Sequence, residues 1–331
     1  MYATAEGTGR YEGRFSVYRD NAFYRSVLGL SVSSLGAGTY LGRADDQTDR
    51  SYIDSLIAAA ENGINFFDTA INYRGERSER CLGAALKQLQ RDEIVVCTKA
   101  GFLTPGAVPT VLNRDEVVGG MHSIAPDFLA DQIERSRANL GIETIDVFYV
   151  HNPETQLGFV GPETFETRIL RAFECLEQLV EEEKIRWYGT ATWDGYRKGA
   201  LNLGRMAELA TRAGGADHHF RWVQLPFNLA MVEAYVDKPE SILQAATRLG
   251  LAVVASAPLL QTRVLNEMPD TIAAAMPGLA TPAQRAIQFT RSTPGIAVAI
   301  VGMSRREHVL ENLGVANVPP LPPERYLRLY Q

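Results

Sequence analysis

Three short apolar runs each deliver an ionisable side chain at their carboxyl end. FFDTAINY closes on Asp68 and offers a phenol, Tyr73, five residues later; VVCTKAGF carries Lys99, and VFYVHNP carries His151. A carboxylate, a phenol, an ammonium and an imidazole held together can pass a proton to or from the oxygen of a carbonyl or an alcohol. Free tyrosine titrates near about 10 and needs help at neutral pH, which a nearby ammonium gives by stabilising the phenolate. Lowering Tyr73 by two units asks about 2.7 kcal/mol of its surroundings. In this scheme Lys99 supplies the ammonium, Asp68 pairs with it, and His151 hydrogen-bonds the reacting oxygen and aims it at Tyr73. Taken singly, each residue has a plainer explanation: a cap or turn for the aspartate, a solvated strand end for the lysine, a structural hydrogen bond for the histidine. Their joint appearance, in order, at the ends of successive runs carries the functional reading.

Such a set needs elements that converge on one rim. The runs INFFDTA, EIVVCTKA, IDVFYVHN, IRWYGTAT, FRWVQLPF, LAVVASAP and IAVAIVG are rich in β-branched and aromatic residues and read as strands. Between them lie stretches such as PDFLADQIERSRANL and FETRILRAFECLEQLVEEEK, with apolar residues at every third or fourth position, which read as helices. With VSSLGAGTY near residues 32–40 as a first strand, eight strand–helix units result, the count that closes a parallel (β/α)8 TIM barrel. One α/β domain over 1–331 is expected, with its barrel core at about 30–315. Outside it lie an N-terminal lead of about 30 residues, a long Gly/Pro-rich loop after the third strand (GFLTPGAVPTVLNRDEVVGGMHSIA) and a C-terminal tail. The lead and tail are expected to cover barrel ends, and the loop is a candidate substrate lid.

Composition narrows the partners. A net charge of −6 gives no electrostatic footprint for nucleic acid or an anionic membrane. No run approaches the roughly 18 apolar residues of a membrane helix, and the N-terminus lacks an apolar signal core, so a cytoplasmic location is expected. Cys81, Cys97 and Cys175 have neither disulfide nor zinc spacing, and the adjacent His218 and His219 read as a polar loop, so no metal site is expected. The glycine-rich GAGTYLG (36–42) lacks the GxGxxG spacing of a two-half nucleotide fold.

The stretch GINFFDTAINY with Ser78 and Glu79, then Thr98 and Lys99, then His151, Asn152 and Pro153, resembles the aldo-keto reductase superfamily. The resemblance runs from LGAGTY at 35–40 to VGMSRREHVLENL at 301–313. It implies a tetrad of Asp68, Tyr73, Lys99 and His151, with Tyr73 as general acid in carbonyl reduction and general base in alcohol or sugar oxidation. It also implies a nicotinamide cofactor, usually NADPH with NADH possible, because no side chain supplies a hydride.

On the same basis Gly38, Thr39 and Tyr40 would lie against the nicotinamide, with Asp68 beside them. The family's Ser-Asn pair after the fifth strand is replaced by Ala191 and Thr192, so Thr192 and Gln224 are the candidates for binding the carboxamide. Ser256, Pro258 and Leu259 match the pyrophosphate segment; Gly302, Ser304, Arg305, Arg306, His308 and Asn312 match the adenosine phosphate site. His308 stands where many NADPH-using members carry an arginine. A helix start beside two arginines suits an anion. Tyr40, Phe102, Trp193 and Phe227 are expected to wall a pocket for a small aldehyde, ketone or sugar. Two alternatives stay open: a nicotinamide-binding redox-sensing or regulatory barrel with negligible turnover, and a proton-transfer enzyme that uses the same residues without hydride. Oligomeric state is not readable from this sequence.

Overall fold

The computed structural model describes residues 1–330 apart from 111, 238 and 267. Among the described residues ten strands run in chain order as β1 Tyr24–Val27, β2 Leu30–Ser33, β3 Leu35–Gly38, β4 Phe66–Asp68, β5 Val95–Ala100, β6 Ile145–His151, β7 Ile185–Ala191, β8 Phe220–Pro226, β9 Ala252–Ser256 and β10 Ile296–Gly302. The helices are α1 Ala5–Arg14, α2 Asp46–Glu61, α3 Arg77–Leu86, α4 Pro126–Leu140, α5 Pro162–Glu181, α6 Leu203–Gly214, α7 Glu233–Val236, α8 Ile242–Arg248, α9 Asp270–Ala275, α10 Pro282–Ser292, α11 Arg306–Asn312 and α12 Pro323–Leu327. Strands β3 to β10 pair in parallel and close into an eight-stranded barrel in the order β10-β3-β4-β5-β6-β7-β8-β9. The TIM-barrel expectation therefore holds.

The first-strand assignment is corrected in detail. Residues 32–33, expected in the first barrel strand, belong instead to β2, which pairs antiparallel with β1, and β3 opens only at Leu35. Val27, Leu30 and Val32 of this hairpin pack with Phe66, Val95, Val147 and Trp222. The hairpin thus plugs the end of the barrel where the strands begin, and the lead covers that end as expected.

Strand alternation builds the opposite rim. Successive side chains on a strand face opposite sides, so Phe66, Cys97, Tyr149 and Trp222 fill the interior while Phe67, Val96, Phe148 and Val223 turn out to the helices. The next inward position on each strand is Asp68, Lys99, His151 and Gln224. An apolar layer therefore carries a polar layer at the strands' carboxyl ends, where this architecture opens its mouth. Gly189 is required at the β7–β8 contact, because a Cβ there would lie 1.8 Å from the Trp222 carbonyl oxygen, beside a register shift.

Candidate active site

The polar layer is held by one buried ion pair. Asp68 and Lys99 are 4% and 1% exposed. Lys99 Nζ donates to Asp68 Oδ1 at 2.6 Å and to the Thr69 carbonyl at 2.8 Å, and Gln224 Nε2 donates to Asp68 Oδ2 at 2.8 Å. Both carboxylate oxygens are thereby satisfied, which makes so buried a charge tolerable. The Tyr73 ring lies with its centroid 5.1 Å from Lys99 Nζ, 4.9 Å from the Tyr40 ring and 6.1 Å from the His151 ring. The turn that presents it is pinned by Arg74, a positive-φ residue (φ 53) whose guanidinium binds Asp49 and the Arg43 carbonyl.

The electrostatics differ from the sequence expectation. Burial, then the Asp68 charge, then Tyr40 push the Tyr73 phenol well above its ordinary value. Lys99 does not bring it down, because its charge is neutralised by Asp68 at 2.6 Å and the phenol faces a net-neutral pair. His151 is driven the other way: burial, then the charges of Lys99 and His122, hold it well below the usual imidazole range, so it is neutral. Its buried Nδ1 has no hydrogen-bond partner among the described residues. A protonated phenol and a neutral imidazole thus stand side by side at the rim.

One cleft of about 570 Å³ opens over this layer. It gathers Gly38, Thr39, Tyr40, Asp68, Tyr73, Phe102, His151, Thr192, Trp193, Gln224, Ser256, Pro258, Leu259 and Gly302. Lys99 lies just behind it, against Asp68. Phe102 stands edge-on to His151 at 5.2 Å, and Trp193 is held at the rim where its backbone N–H donates to Glu154 Oε1 at 3.0 Å. Thr192 is 5% exposed and its Oγ1 has no partner among the described residues, so it is a ready anchor for a polar ligand group.

Seven expected site residues fall outside the cleft lining: Lys99 just behind it, Phe227, and Ser304, Arg305, Arg306, His308 and Asn312 in or just before α11. Phe227 follows the last residue of β8, is fully buried, and stacks on Phe289 of α10 at 6.0 Å. Its expected place in the substrate wall is corrected: the ring turns out to the helix layer. Asn312 is 5% exposed on the last turn of α11 and lines neither cleft. Arg305 and Arg306 line a second cleft of about 460 Å³ together with Ser51, Asp54, Glu61 and Glu307. There Arg306 lies 4.0 Å from Glu61, Arg305 Nη2 lies 2.6 Å from His308 Nε2, and the Ser304 carbonyl accepts from Ser51 Oγ at 2.6 Å. Acids beside the two arginines make this a mixed-charge site.

Several cleft residues escape the sequence reading. Asn72 and Asn152 line it, as do Leu260, Gln261 and Thr262. The asparagines were legible as neighbours of Tyr73 and His151. The last three hold left-handed backbone (φ 43, 53 and 70) without glycine, so no residue type signals their turn. No helix among the described residues is long and apolar enough to cross a membrane.

Comparison with known proteins agrees with this geometry. The sequence profile of the Aldo/keto reductase family matches residues 34–331. A Schizosaccharomyces pombe protein with the provisional name of voltage-gated potassium channel subunit beta is 26% identical over 89% of this chain and 88% of its own length. The NADH-specific methylglyoxal reductase of Escherichia coli is 30% identical over 51% of this chain and 49% of its own. The structure of a Klebsiella pneumoniae aldo-keto reductase in complex with NADPH superposes with a TM-score of 0.69 at 22% identity, covering 93% of this chain and 95% of that one. With a matching profile over nearly the whole chain and a closed barrel bearing its polar rim at the strands' carboxyl ends, this protein belongs to the aldo/keto reductase family.

Proposed function

We propose that the protein reduces the carbonyl of an uncharged aldehyde or ketone, with Tyr73 as the proton donor and NADPH, or NADH, as the reductant. The observation that carries this reading is the pairing of a phenol held protonated with a neutral imidazole whose Nδ1 has no partner among the described residues, both rings lining one cleft. When bound, the dinucleotide supplies the hydride. His151 donates to the substrate oxygen and turns it toward Tyr73. As that oxygen gains negative charge it becomes a far stronger base than a phenolate, so Tyr73 can give up its proton despite its raised pKa. The Asp68–Lys99 pair anchors the floor beneath.

The orphaned Thr192 hydroxyl supports a nicotinamide site, since it offers a buried partner beside Gln224 for a carboxamide. An uncharged substrate is supported by the lining. Among the described residues no lysine or arginine lines the cleft, and Asp68, Tyr40, Tyr73 and His151 are its only titratable groups. A carboxylate or phosphate on the substrate would meet no cation there. Tyr40 and Trp193 at the rim, 55% and 40% exposed, favour an apolar body. Retention of the protonated phenol favours reduction over oxidation, which needs the phenolate.

The test is turnover. Purified protein is mixed with NADPH or NADH and a panel of aldehydes, ketones, sugars and keto acids, and loss of reduced-nicotinamide absorbance is followed. Reduction of neutral carbonyls should fall about 10²–10⁴-fold in Tyr73→Phe. Tight cofactor binding without turnover on any carbonyl would instead favour the redox-sensing alternative, and absence of nicotinamide binding would overturn the proposal.

A further inference from the structure

A second histidine stands directly behind the first. His122, in the long loop after β5, is fully buried, and its Nε2 lies 2.8 Å from the backbone oxygen of His151. A carbonyl only accepts, so Nε2 carries the proton and Nδ1 is left as the acceptor. Gln156 Nε2 lies 2.9 Å from that Nδ1 and completes the match. The Gln156 amide is held the right way round by Arg168, whose Nη1 donates to Oε1 at 2.5 Å. Arg168 also binds the Asp115 carbonyl and Glu116 in the same loop.

Two features show a built contact. Gly101, where β5 has just ended, leaves the slot open: a Cβ there would lie 2.3 Å from the His151 oxygen and 2.7 Å from His122 Nε2. The β5–β6 register ends at Ala100–Val150, one residue short of His151, so the imidazole takes over where the ladder stops. Phe102 is wedged edge-on between the two rings, 5.1 Å from His122 and 5.2 Å from His151. Beyond His151 the chain turns at once through Asn152 at φ 48, so this bond and Asn152 N to the Ala191 oxygen at 2.7 Å fix the carboxyl end of β6 from both sides.

We infer that His122 is a positioning residue for the reaction: donating to the His151 carbonyl and gripped by Gln156, it fixes the end of β6 and, through Phe102, the direction in which the His151 ring enters the cleft. The inference rests on the reading of His151 as the group that orients the substrate oxygen. It also gives the loop after β5 a part in catalysis, as a brace anchored at Arg168.

The test uses His122→Leu, His122→Gln and Gln156→Leu in the full chain. Glutamine places an amide N–H where the imidazole Nε2–H stood. We expect His122→Leu to lower kcat for a carbonyl substrate by roughly tenfold or more while the NADPH Kd, read by fluorescence titration, stays within about twofold. His122→Gln should recover most of that loss, and Gln156→Leu should lie between. A kcat within about threefold of the parent in His122→Leu, a glutamine variant no better than the leucine variant, or an equal loss of cofactor affinity would overturn the inference. If His122→Leu does not fold, Gln156→Leu at parental kcat overturns it and His122→Gln above Gln156→Leu supports it. Histidine ¹⁵N NMR of the parent protein tests the contact without relying on turnover: His122 should be the neutral Nε2–H tautomer, and an Nδ1–H tautomer would sink the proposal. Should no carbonyl be reduced, the reductase reading fails and the NMR result still decides the contact.

Discussion

Replacing Asp68 by asparagine removes one charge from the buried pair and leaves the geometry otherwise in place. At 2.6 Å and an effective dielectric near 20, the attraction between Lys99 and Asp68 is about 6 kcal/mol, opposed by the desolvation of both ions. Stranding one partner of such a pair costs about 3–5 kcal/mol. The lower end applies here, because Lys99 keeps the Thr69 carbonyl at 2.8 Å. The asparagine amide must also face Gln224 Nε2 or Lys99 Nζ, both donors, with a single acceptor oxygen. An unfolding entropy of about 2.1 cal/mol/K per residue over 331 residues turns 3 kcal/mol into a Tm fall of about 4 °C, read by thermal melting followed by circular dichroism. The electrostatic consequence has a definite sign. The Asp68 charge helps hold the Tyr73 phenol up, so its removal beside a retained Lys99 makes the phenolate easier to form. Alcohol oxidation, which needs that phenolate, should begin at lower pH in the variant, while carbonyl reduction slows. A melting point within about 1 °C of the parent, or an oxidation onset unmoved or shifted upward, would refute the account of the pair as the neutral floor beneath Tyr73.

Thr192→Val removes a buried hydroxyl that has no partner among the described residues, so the unliganded protein should melt at the same temperature or higher, while the Kd for reduced nicotinamide dinucleotide rises about 3–10-fold, the worth of one hydrogen bond. His122 has its pKa pushed down to about 4 by burial, below the unfolded value near 6.5, so the unfolded state takes the proton first and stability is lost as pH falls below about 6.5. Urea unfolding at pH 6.5 and pH 5 should therefore show a fall in unfolding free energy about 2 kcal/mol larger in the parent than in His122→Gln; equal falls would contradict it. Arg291, fully buried and pushed down to about 9 by burial and Arg25, donates to Gln288 Oε1 and to the Val315 and Val318 carbonyls at 2.7–2.9 Å. Arg291→Met leaves Gln288 Oε1 without its donor, and leaves the Val315 and Val318 carbonyls only the longer bonds from Val318 N at 3.3 Å and Gln288 Nε2 at 3.4 Å, so it should cost about 3 kcal/mol in urea unfolding.

The inward placement of Asp68, Lys99 and His151 was legible because they sit at fixed parity in short runs. Phe66 and Asp68, Cys97 and Lys99, Tyr149 and His151 are two apart on their strands, so burying the first of each pair inside the barrel commits the second to its mouth. Alternation of strand and helix likewise fixed the barrel, since parallel strands joined by helices have few ways to bury both faces. The residues misjudged were those beyond the end of that periodicity. Phe227 sits one residue past β8, where no pleat dictates direction, and packing against Phe289 settled it. Residues 32–33 have strand composition but serve a hairpin, because composition favours strands without naming their partners.

What the sequence alone determined is the order of the elements, the inward parity of Asp68, Lys99 and His151, and the family. The tertiary structure decided how their charges act on one another. Whether Lys99 lowers the phenol of Tyr73 or cancels against Asp68 depends on separations of a few ångströms between different strands, in a dry interior where Coulomb terms are steep and burial dominates. The same holds for His122, which meets His151 across 29 positions of chain only because Gly101 leaves room for its ring.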